Sequence, residues 1–95
     1  MKYLAAILLM ISLTASAEEP KEKTCALYSN LANRIMTLRQ IGEDMAIVYA
    51  GSDSEHYRKL VIDAYEQPRY GSKPYQDKIV AKFQNKAFLE CIKSQ

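Results

Sequence analysis

Few side chains in this sequence are of the types that catalyse reactions, and their spacing matches no catalytic pattern. His56 is the only histidine, and a nucleophile–base pair needs a partner within reach. At about 100° per residue His56 points away from the apolar face of its predicted helix, so we expect it to be exposed. The carboxylate pairs Glu43–Asp44 and Asp63–Glu66 are predicted on solvated helix faces. We therefore assign no catalytic residue and expect that the protein is not an enzyme.

Cofactor and metal sites are not indicated either. The three glycines stand alone at positions 42, 51 and 71, so the chain has no glycine-rich loop for a phosphate group. A protein metal site usually needs three or four ligands, and one histidine among scattered carboxylates has no such spacing. We expect no cofactor and no metal.

Residues 1–17 have the layout of a secretory signal peptide. Lys2 is followed by an apolar run from Leu4 to Leu13, and Ala15-Ser16-Ala17 is an A-x-A cleavage site. The run is shorter than the roughly 20 residues that span a bilayer. We expect a periplasmic or secreted chain of residues 18–95 without a stable membrane span. Its 12 Lys and Arg against 11 Asp and Glu give a net charge of +1, which does not favour binding to nucleic acid.

The two cysteines carry the clearest chemical signal. Cys25 and Cys91 are 66 positions apart, without the C-x-x-C spacing or the histidine partners of a redox or metal-binding pair. In an exported small domain an even pair usually forms a structural bridge. The sequence therefore predicts a Cys25–Cys91 disulfide, which the chain-entropy model values at roughly 4 kcal/mol.

Apolar periodicity predicts two helices in the first half of the mature chain. The first runs from about Cys25 to Ile41, with Thr24 as its N-cap and Gly42 as a left-handed stop. Its predicted core face comprises Leu27, Tyr28, Leu31, Ile35 and Leu38, with Cys25, Ala32 and Met36 on the flank. A short second helix follows the acidic Glu43-Asp44. Its predicted apolar face is Met45, Val48 and Tyr49, and it ends at Ala50-Gly51.

Two further helices flank a turn that contains two prolines. Ser52 and Glu55 have capping-box spacing at the start of the third helix, which ends by Gln67 because Pro68 disfavours helical geometry in the residue before it. After the turn at Pro68–Gly71, the fourth helix runs from about Lys73 to Ile92, with Ser72 as its N-cap and Pro74 in its first turn. Its predicted core face comprises Ile79, Val80, Phe83, Ala87 and Cys91.

These elements predict one small domain of the all-α class. Residues 18–24 are polar and are predicted to form a flexible arm, and residues 25–95 form the helical domain. We expect a three- to four-helix bundle closed by one disulfide. The turn between the third and fourth helices is predicted to be fixed by its own residues Pro68, Gly71, Ser72 and Pro74.

Three surfaces are candidates for binding. Arg69, Tyr70, Lys73 and Tyr75 surround the turn, where Tyr and Arg are typical of binding hot spots, although Pro–Tyr packing that stiffens the turn explains them as well. The basic stripe (Lys78, Lys82, Lys86 and Lys93) is either a solvated edge of the core or a docking site for an acidic partner, for phosphate or for lipid headgroups. Glu90 lies four residues after Lys86 and can pair with it.

The third candidate surface is apolar. Phe88, Leu89 and Ile92 lie off the predicted core face of the fourth helix. Either the N-terminal arm or the second helix covers them, or they form an exposed interface.

A resemblance accompanies these predictions. The chain contains Cys25, Arg39-Gln40-Ile41-Gly42 with Met45, Ala64-Tyr65 with Pro68, and Phe83 with Cys91. In this pattern it resembles short exported, disulfide-containing helical proteins of unknown function from proteobacteria and their phages. The resemblance spans most of the mature chain and implies an envelope location and helical content. It carries no assigned activity, so it transfers no active site.

These observations favour a binding protein over an enzyme. We expect it to act on an unidentified envelope protein, as an inhibitor or as an envelope-protective factor. The alternative is a periplasmic stress chaperone that binds unfolded clients, because a leader and one disulfide in a small helical protein resemble the acid-stress chaperones in format. No motif of those chaperones is present.

Overall fold

The computed structural model describes residues 21–94, which form four α-helices and no β-strand. The helices are α1 (Lys21–Ile41), α2 (Met45–Ala50), α3 (Glu55–Tyr65) and α4 (Lys73–Lys93). The predicted all-α class is therefore confirmed. The predicted signal peptide and residues 18–20 of the predicted arm lie outside the described residues. None of the described helices is both long and apolar enough to cross a membrane.

α1 begins earlier than the sequence predicts. Residues 21–24 were expected in a flexible arm, but they form the first turn of α1, so Thr24 is not an N-cap. Lys and Glu are good helix formers, and the arm was predicted because the segment is polar and charged and contains Pro20. The predicted ends of α2 and α3 match the structure to within two residues.

α1 and α4 run antiparallel and are joined at one end by the predicted disulfide. The Cys25–Cys91 bond has an S–S distance of 2.05 Å and a Cα–Cα distance of 5.5 Å. Further along the pair, the Asn33 amide Nδ2 donates to Gln84 Oε1 at 2.9 Å. α3 packs against α1, and α2 packs mainly against α3 and the end of α1. α1 is thus the central helix of the bundle.

The core lies where α1 meets both α3 and α4. The buried face of α1 is therefore rotated about the helix axis relative to the predicted face. Ala32 and Met36, predicted on the flank, are fully buried, whereas Leu27, predicted in the core, is 61 % exposed. A helix that packs against two neighbours buries the arc between them. The buried apolar cluster comprises Ala32, Ile35, Met36, Val48, Leu60, Val61, Ala64, Phe83 and Ala87.

Short polar interactions set the helix ends. The Gly42 N–H donates to the Arg39 carbonyl at 3.2 Å and the Glu43 N–H to the Leu38 carbonyl at 3.0 Å, which is the Schellman pattern. Gly42 has φ 91°, so the predicted left-handed stop is confirmed.

The N-cap of α3 differs from the prediction. Ser54 Oγ accepts from the Tyr57 N–H at 3.1 Å. Ser52, the predicted cap, instead donates its hydroxyl back to the Tyr49 carbonyl at the end of α2. In α2 only Val48 of the predicted apolar face is buried, and Met45 and Tyr49 are more than one third exposed, because two turns bring only one side chain into the core.

Candidate functional site

The turn between α3 and α4 is fastened to the end of α1 by a buried glutamine. Gln40 is 1 % exposed. Its Nε2 donates to the Pro68 carbonyl at 2.9 Å, and its Oε1 accepts from the Tyr70 N–H at 2.9 Å. One side chain therefore satisfies a donor and an acceptor of the turn, as a buried polar group must.

Arg39 makes a second connection beside the first. Its Nε and Nη2 both donate to the Gln67 carbonyl, at 3.2 and 3.0 Å, and its guanidinium lies 5.2 Å from the centre of the Tyr65 ring. The Tyr65 hydroxyl donates to the Glu43 carbonyl at 2.8 Å. Burial raises the pKa of Tyr65, although the nearby Arg39 charge acts in the opposite direction. The turn and the end of α1 are thus held by several side chains.

Arg69 makes a third connection, in which the donor belongs to the turn and the acceptor to α1. Its Nε donates to the Gln40 carbonyl at 3.0 Å. A Cβ built on Gly42 would lie 2.9 Å from Arg69 Nη2, so the guanidinium packs directly on that glycine. A cation at the last carbonyls of a helix is also favoured by the helix dipole. Arg69, a candidate interface residue, therefore positions the turn together with Arg39 and Gln40. We call these three residues the clamp.

Gly71 does not constrain the turn as the sequence suggested. It has no positive φ, and a Cβ there would meet no atom within 4 Å. Ser72 occupies the N-cap position of α4 without a side-chain cap hydrogen bond. The turn is held by α1, and the sequence pattern around the prolines alone did not show this.

The clamped turn and the start of α4 each present one tyrosine at the surface. The rings of Tyr70 and Tyr75 lie 6.0 Å apart with their planes 35° from parallel, and they are 37 % and 60 % exposed. Gln76 Nε2 donates to the Tyr70 carbonyl at 2.7 Å. The two tyrosines, Lys78, Ile79 and Lys82 line a groove of about 120 Å³. We call these five residues the tyrosine–lysine groove.

The remaining candidate cations lie elsewhere. Lys73 Nζ pairs with Asp77 Oδ1 at 2.7 Å, and both residues line the separate depression between α1 and α4. Lys86 lies in a small crevice with Asp63 and Glu90. The Lys86–Glu90 ion pair that the spacing allows does not form, since the ion pairs within residues 21–94 are Lys73–Asp77 and Lys59–Asp63. Lys93 is exposed in the last turn of α4. The predicted basic stripe is therefore not one uniform surface, because Lys78 and Lys82 line the groove whereas Lys86 lies beside two carboxylates.

The apolar candidates lie at the opposite end of α4. Phe88 and Leu89 are 36 % and 53 % exposed, and Ile92 is partly buried. Thirteen residues separate Tyr75 from Phe88, which is about 20 Å along a helix. The structure therefore does not bring the apolar candidates to the turn.

Among the residue types that could do chemistry, His56, Lys59 and Glu90 line one depression beside the disulfide, together with Tyr28. His56 is exposed, and its ring meets the Tyr28 ring edge-on at 6.3 Å. Burial raises the pKa of Tyr28, and a hydrogen bond to Asp63 raises the pKa of Lys59. Among residues 21–94 no three His, Cys, Asp or Glu side chains are grouped to hold a metal ion.

Three larger depressions lie on the surface, and polar side chains contribute to the lining of each. One of about 400 Å³ lies between α1 and α4, one of about 530 Å³ between α2 and α3, and one of about 410 Å³ beside the disulfide. In the described part of the chain, every buried side-chain nitrogen and oxygen has a hydrogen-bond partner.

Sequence reasoning missed Gln40 as the centre of the clamp and Ile79 as part of the groove. Gln40 lies within a segment predicted as helix, and a buried glutamine there is unusual. The place of Gln40 inside a predicted helix was the available signal. The partner that would explain it, the Pro68 carbonyl, is 28 positions away in the sequence. Ile79 was predicted in the core, and it is only partly buried.

Comparison with protein-family models, with curated proteins and with solved structures found no significant match to this chain.

Proposed function

We propose that this protein acts by binding a protein partner through the tyrosine–lysine groove. The observation that supports this most directly is the exposure of two neighbouring tyrosines. Tyr70 lies on a turn that α1 holds in place, and Tyr75 lies in the first turn of α4. Tyrosines are enriched among the residues that dominate binding energy, because they offer a large contact area with a polar end.

The clamp matters for affinity. Binding through a mobile loop costs the entropy of ordering that loop, and a preorganised surface avoids much of this cost. The Tyr70 N–H and carbonyl are both hydrogen-bonded, to Gln40 and to Gln76. The backbone that carries the first tyrosine is therefore already ordered before a partner arrives.

The size of the groove favours a macromolecular partner. Its volume of about 120 Å³ corresponds to about four waters and is well below the roughly 300–1,000 Å³ of small-molecule pockets. A groove of this size receives one side chain of a larger molecule. Affinity would then come from contacts around it.

The partner belongs to the cell envelope or the exterior in this proposal. The predicted signal peptide supports export, and a disulfide is typical of oxidising compartments. The protein would act there as an inhibitor or as an envelope-protective factor, in line with its resemblance to short exported helical proteins.

The proposal is tested by capture from an envelope extract with the disulfide intact. We expect the wild-type protein to retain a specific partner, and the double variant Tyr70→Ala/Tyr75→Ala to lose most of it, since hot-spot truncations cost about 2 kcal/mol or more. Tyr49→Ala is the matched control, because Tyr49 is also exposed but lies on α2. Equal capture by the double variant and the control would exclude the groove.

A periplasmic stress chaperone is the second candidate function. The observation that favours it is the scatter of exposed apolar side chains over the bundle, for example Leu27, Ile47 and Leu89. A chaperone would suppress the aggregation of an unfolded client, and reduction of the disulfide would increase this activity. Absence of suppression with both the oxidised and the reduced protein, from acid to neutral pH, would exclude this function.

A further inference from the structure

We infer that the segment docked in the tyrosine–lysine groove is acidic, with one aromatic or aliphatic side chain beside its carboxylates. This inference rests on the proposed function and specifies the chemistry of the partner. It follows from the charges, the spacing and the apolar lining of the groove.

The charges come from two lysines that have no ion-pair partner within residues 21–94. Lys78 and Lys82 are exposed and line the groove. No Asp or Glu lines the groove with them. By contrast, Lys73 is paired with Asp77, and Lys86 shares its crevice with two carboxylates. Positive charge is therefore available at the groove itself.

The spacing of the two lysines sets the spacing of their ligands. Residues four apart in a helix are separated by about 6 Å along its axis. In an extended chain, alternate residues point to the same side and lie about 6.6–6.8 Å apart. Acidic residues two positions apart in an extended segment match the lysines, and so do acidic residues four apart in a helix.

The lining between the charges is apolar and aromatic. Ile79 and the two tyrosine rings form the rest of the groove. With about 120 Å³, the groove accepts one side chain, and an aromatic or aliphatic group gains most from contact with these surfaces. The acidic residues would flank that anchor and reach Lys78 and Lys82.

A protein segment fits these observations better than an anionic membrane. Electrostatic recruitment to anionic lipid typically uses clusters of roughly 4–8 Lys and Arg. Here two lysines act at the groove, and acids accompany Lys86 further along α4. The exposed apolar residues Phe88 and Leu89, which could insert into lipid, lie at the other end of the helix.

The first experiment identifies the docked segment by site-specific photocrosslinking. A benzoylphenylalanine replaces Tyr75 in the full-length exported protein in living cells, so that an aromatic ring is kept, and the cross-linked peptide is sequenced by mass spectrometry. The control carries the crosslinker in place of Tyr49. We expect position 75 to give a protein cross-link to an acidic segment that position 49 does not give.

The outcomes separate this inference from the proposed function. A cross-link to a neutral or basic segment would overturn the acidic-segment inference and leave the binding function standing. A cross-link to lipid, or none to any protein, would overturn both.

The second experiment measures the charge contribution with the captured partner. We expect Lys78→Glu/Lys82→Glu to bind at least about tenfold more weakly, because like charges then oppose each other across the interface. Lys86→Glu/Lys93→Glu has the same net charge and should bind as the wild type does. The affinity of the wild type should fall with added salt, since exposed charges are screened. Equal affinities of the two double variants would contradict the inference. It would also be contradicted if the wild type bound phosphatidylglycerol vesicles and Lys78→Glu/Lys82→Glu abolished that binding.

Discussion

At the scale of single residues, two features favour glycine at position 42: its backbone conformation and the contact with the Arg69 side chain. It has φ 91° at the end of α1, a conformation that costs residues with a Cβ roughly 1–2 kcal/mol. Its missing side chain also leaves room for the Arg69 guanidinium, 2.9 Å from where a Cβ would be. Gly71, which lies within the α3–α4 turn, has neither constraint.

Gly42→Ala is therefore expected to lower the free energy of unfolding by about 1–2 kcal/mol or more. Gly71→Ala is the control and should be neutral or stabilise the fold by about 0.4–1 kcal/mol, because it restricts the unfolded chain. Both values can be measured by urea denaturation monitored by circular dichroism. Equal effects of the two substitutions would show that the conformation of Gly42 does not limit stability.

At the scale of elements, the α3–α4 turn is held by a helix that is distant in sequence. Gln40 and Arg39, at the end of α1, bond the carbonyls of Pro68 and Gln67. The same interaction orders the backbone that carries Tyr70. The end of α1 thereby connects the stability of the bundle to the geometry of the groove.

Gln40→Ala should destabilise the fold by about 1–3 kcal/mol, because it leaves a donor and an acceptor of the turn without their partner. It should also speed hydrogen exchange at the Tyr70 amide. Gln76→Ala removes an exposed hydrogen bond to the Tyr70 carbonyl and should stay within about 0.5 kcal/mol of the wild type. If both variants have the same stability and the same exchange rate at Tyr70, the clamp does not order the turn.

At the scale of the whole molecule, the disulfide joins the two ends of a small bundle. Cys25 and Cys91 have a sequence separation of 66, so the bond closes most of the described chain into one loop. The core that it supports consists of nine buried apolar residues from all four helices. Domains of this size have a modest total stability, typically about 5–15 kcal/mol.

Cys25→Ser/Cys91→Ser should therefore lose roughly 4 kcal/mol of stability, on the chain-entropy model. The wild type should lose a similar amount in reductant, whereas the double variant should not respond to reductant. The midpoint of urea denaturation with and without dithiothreitol measures both. A double variant as stable as the oxidised wild type would show that helix packing alone holds the ends together.

The sequence predicted those features that depend on local pattern or on a pair of rare residues. The helices follow from apolar periodicity, the stop at Gly42 from helix-end chemistry, and the Cys25–Cys91 bond from the presence of just two cysteines. Which face of α1 is buried depends on two neighbours at once, so Leu27 was wrongly placed in the core. The cap at Ser54 was missed because Ser52 has capping-box spacing to Glu55, whereas in the fold the Ser54 hydroxyl accepts from the Tyr57 N–H.

The site was partly predictable for the same reason. Tyr70, Tyr75, Lys78 and Lys82 were candidates by residue type, but they belonged to two different predicted surfaces. Their meeting in one groove depends on how the turn folds back on α4. The bonds from Gln40 to the turn cross about 30 positions, and no local pattern indicates them.

The central claim is that a protein partner docks on the tyrosine–lysine groove, and hydrogen exchange with and without the captured partner tests it most directly. Contact removes amides from solvent, so we expect slower exchange on binding across residues 68–82. Segments 45–62 and 88–93 should remain unchanged and serve as internal references. Protection confined to either of these segments, with residues 68–82 unaffected, would contradict the claim.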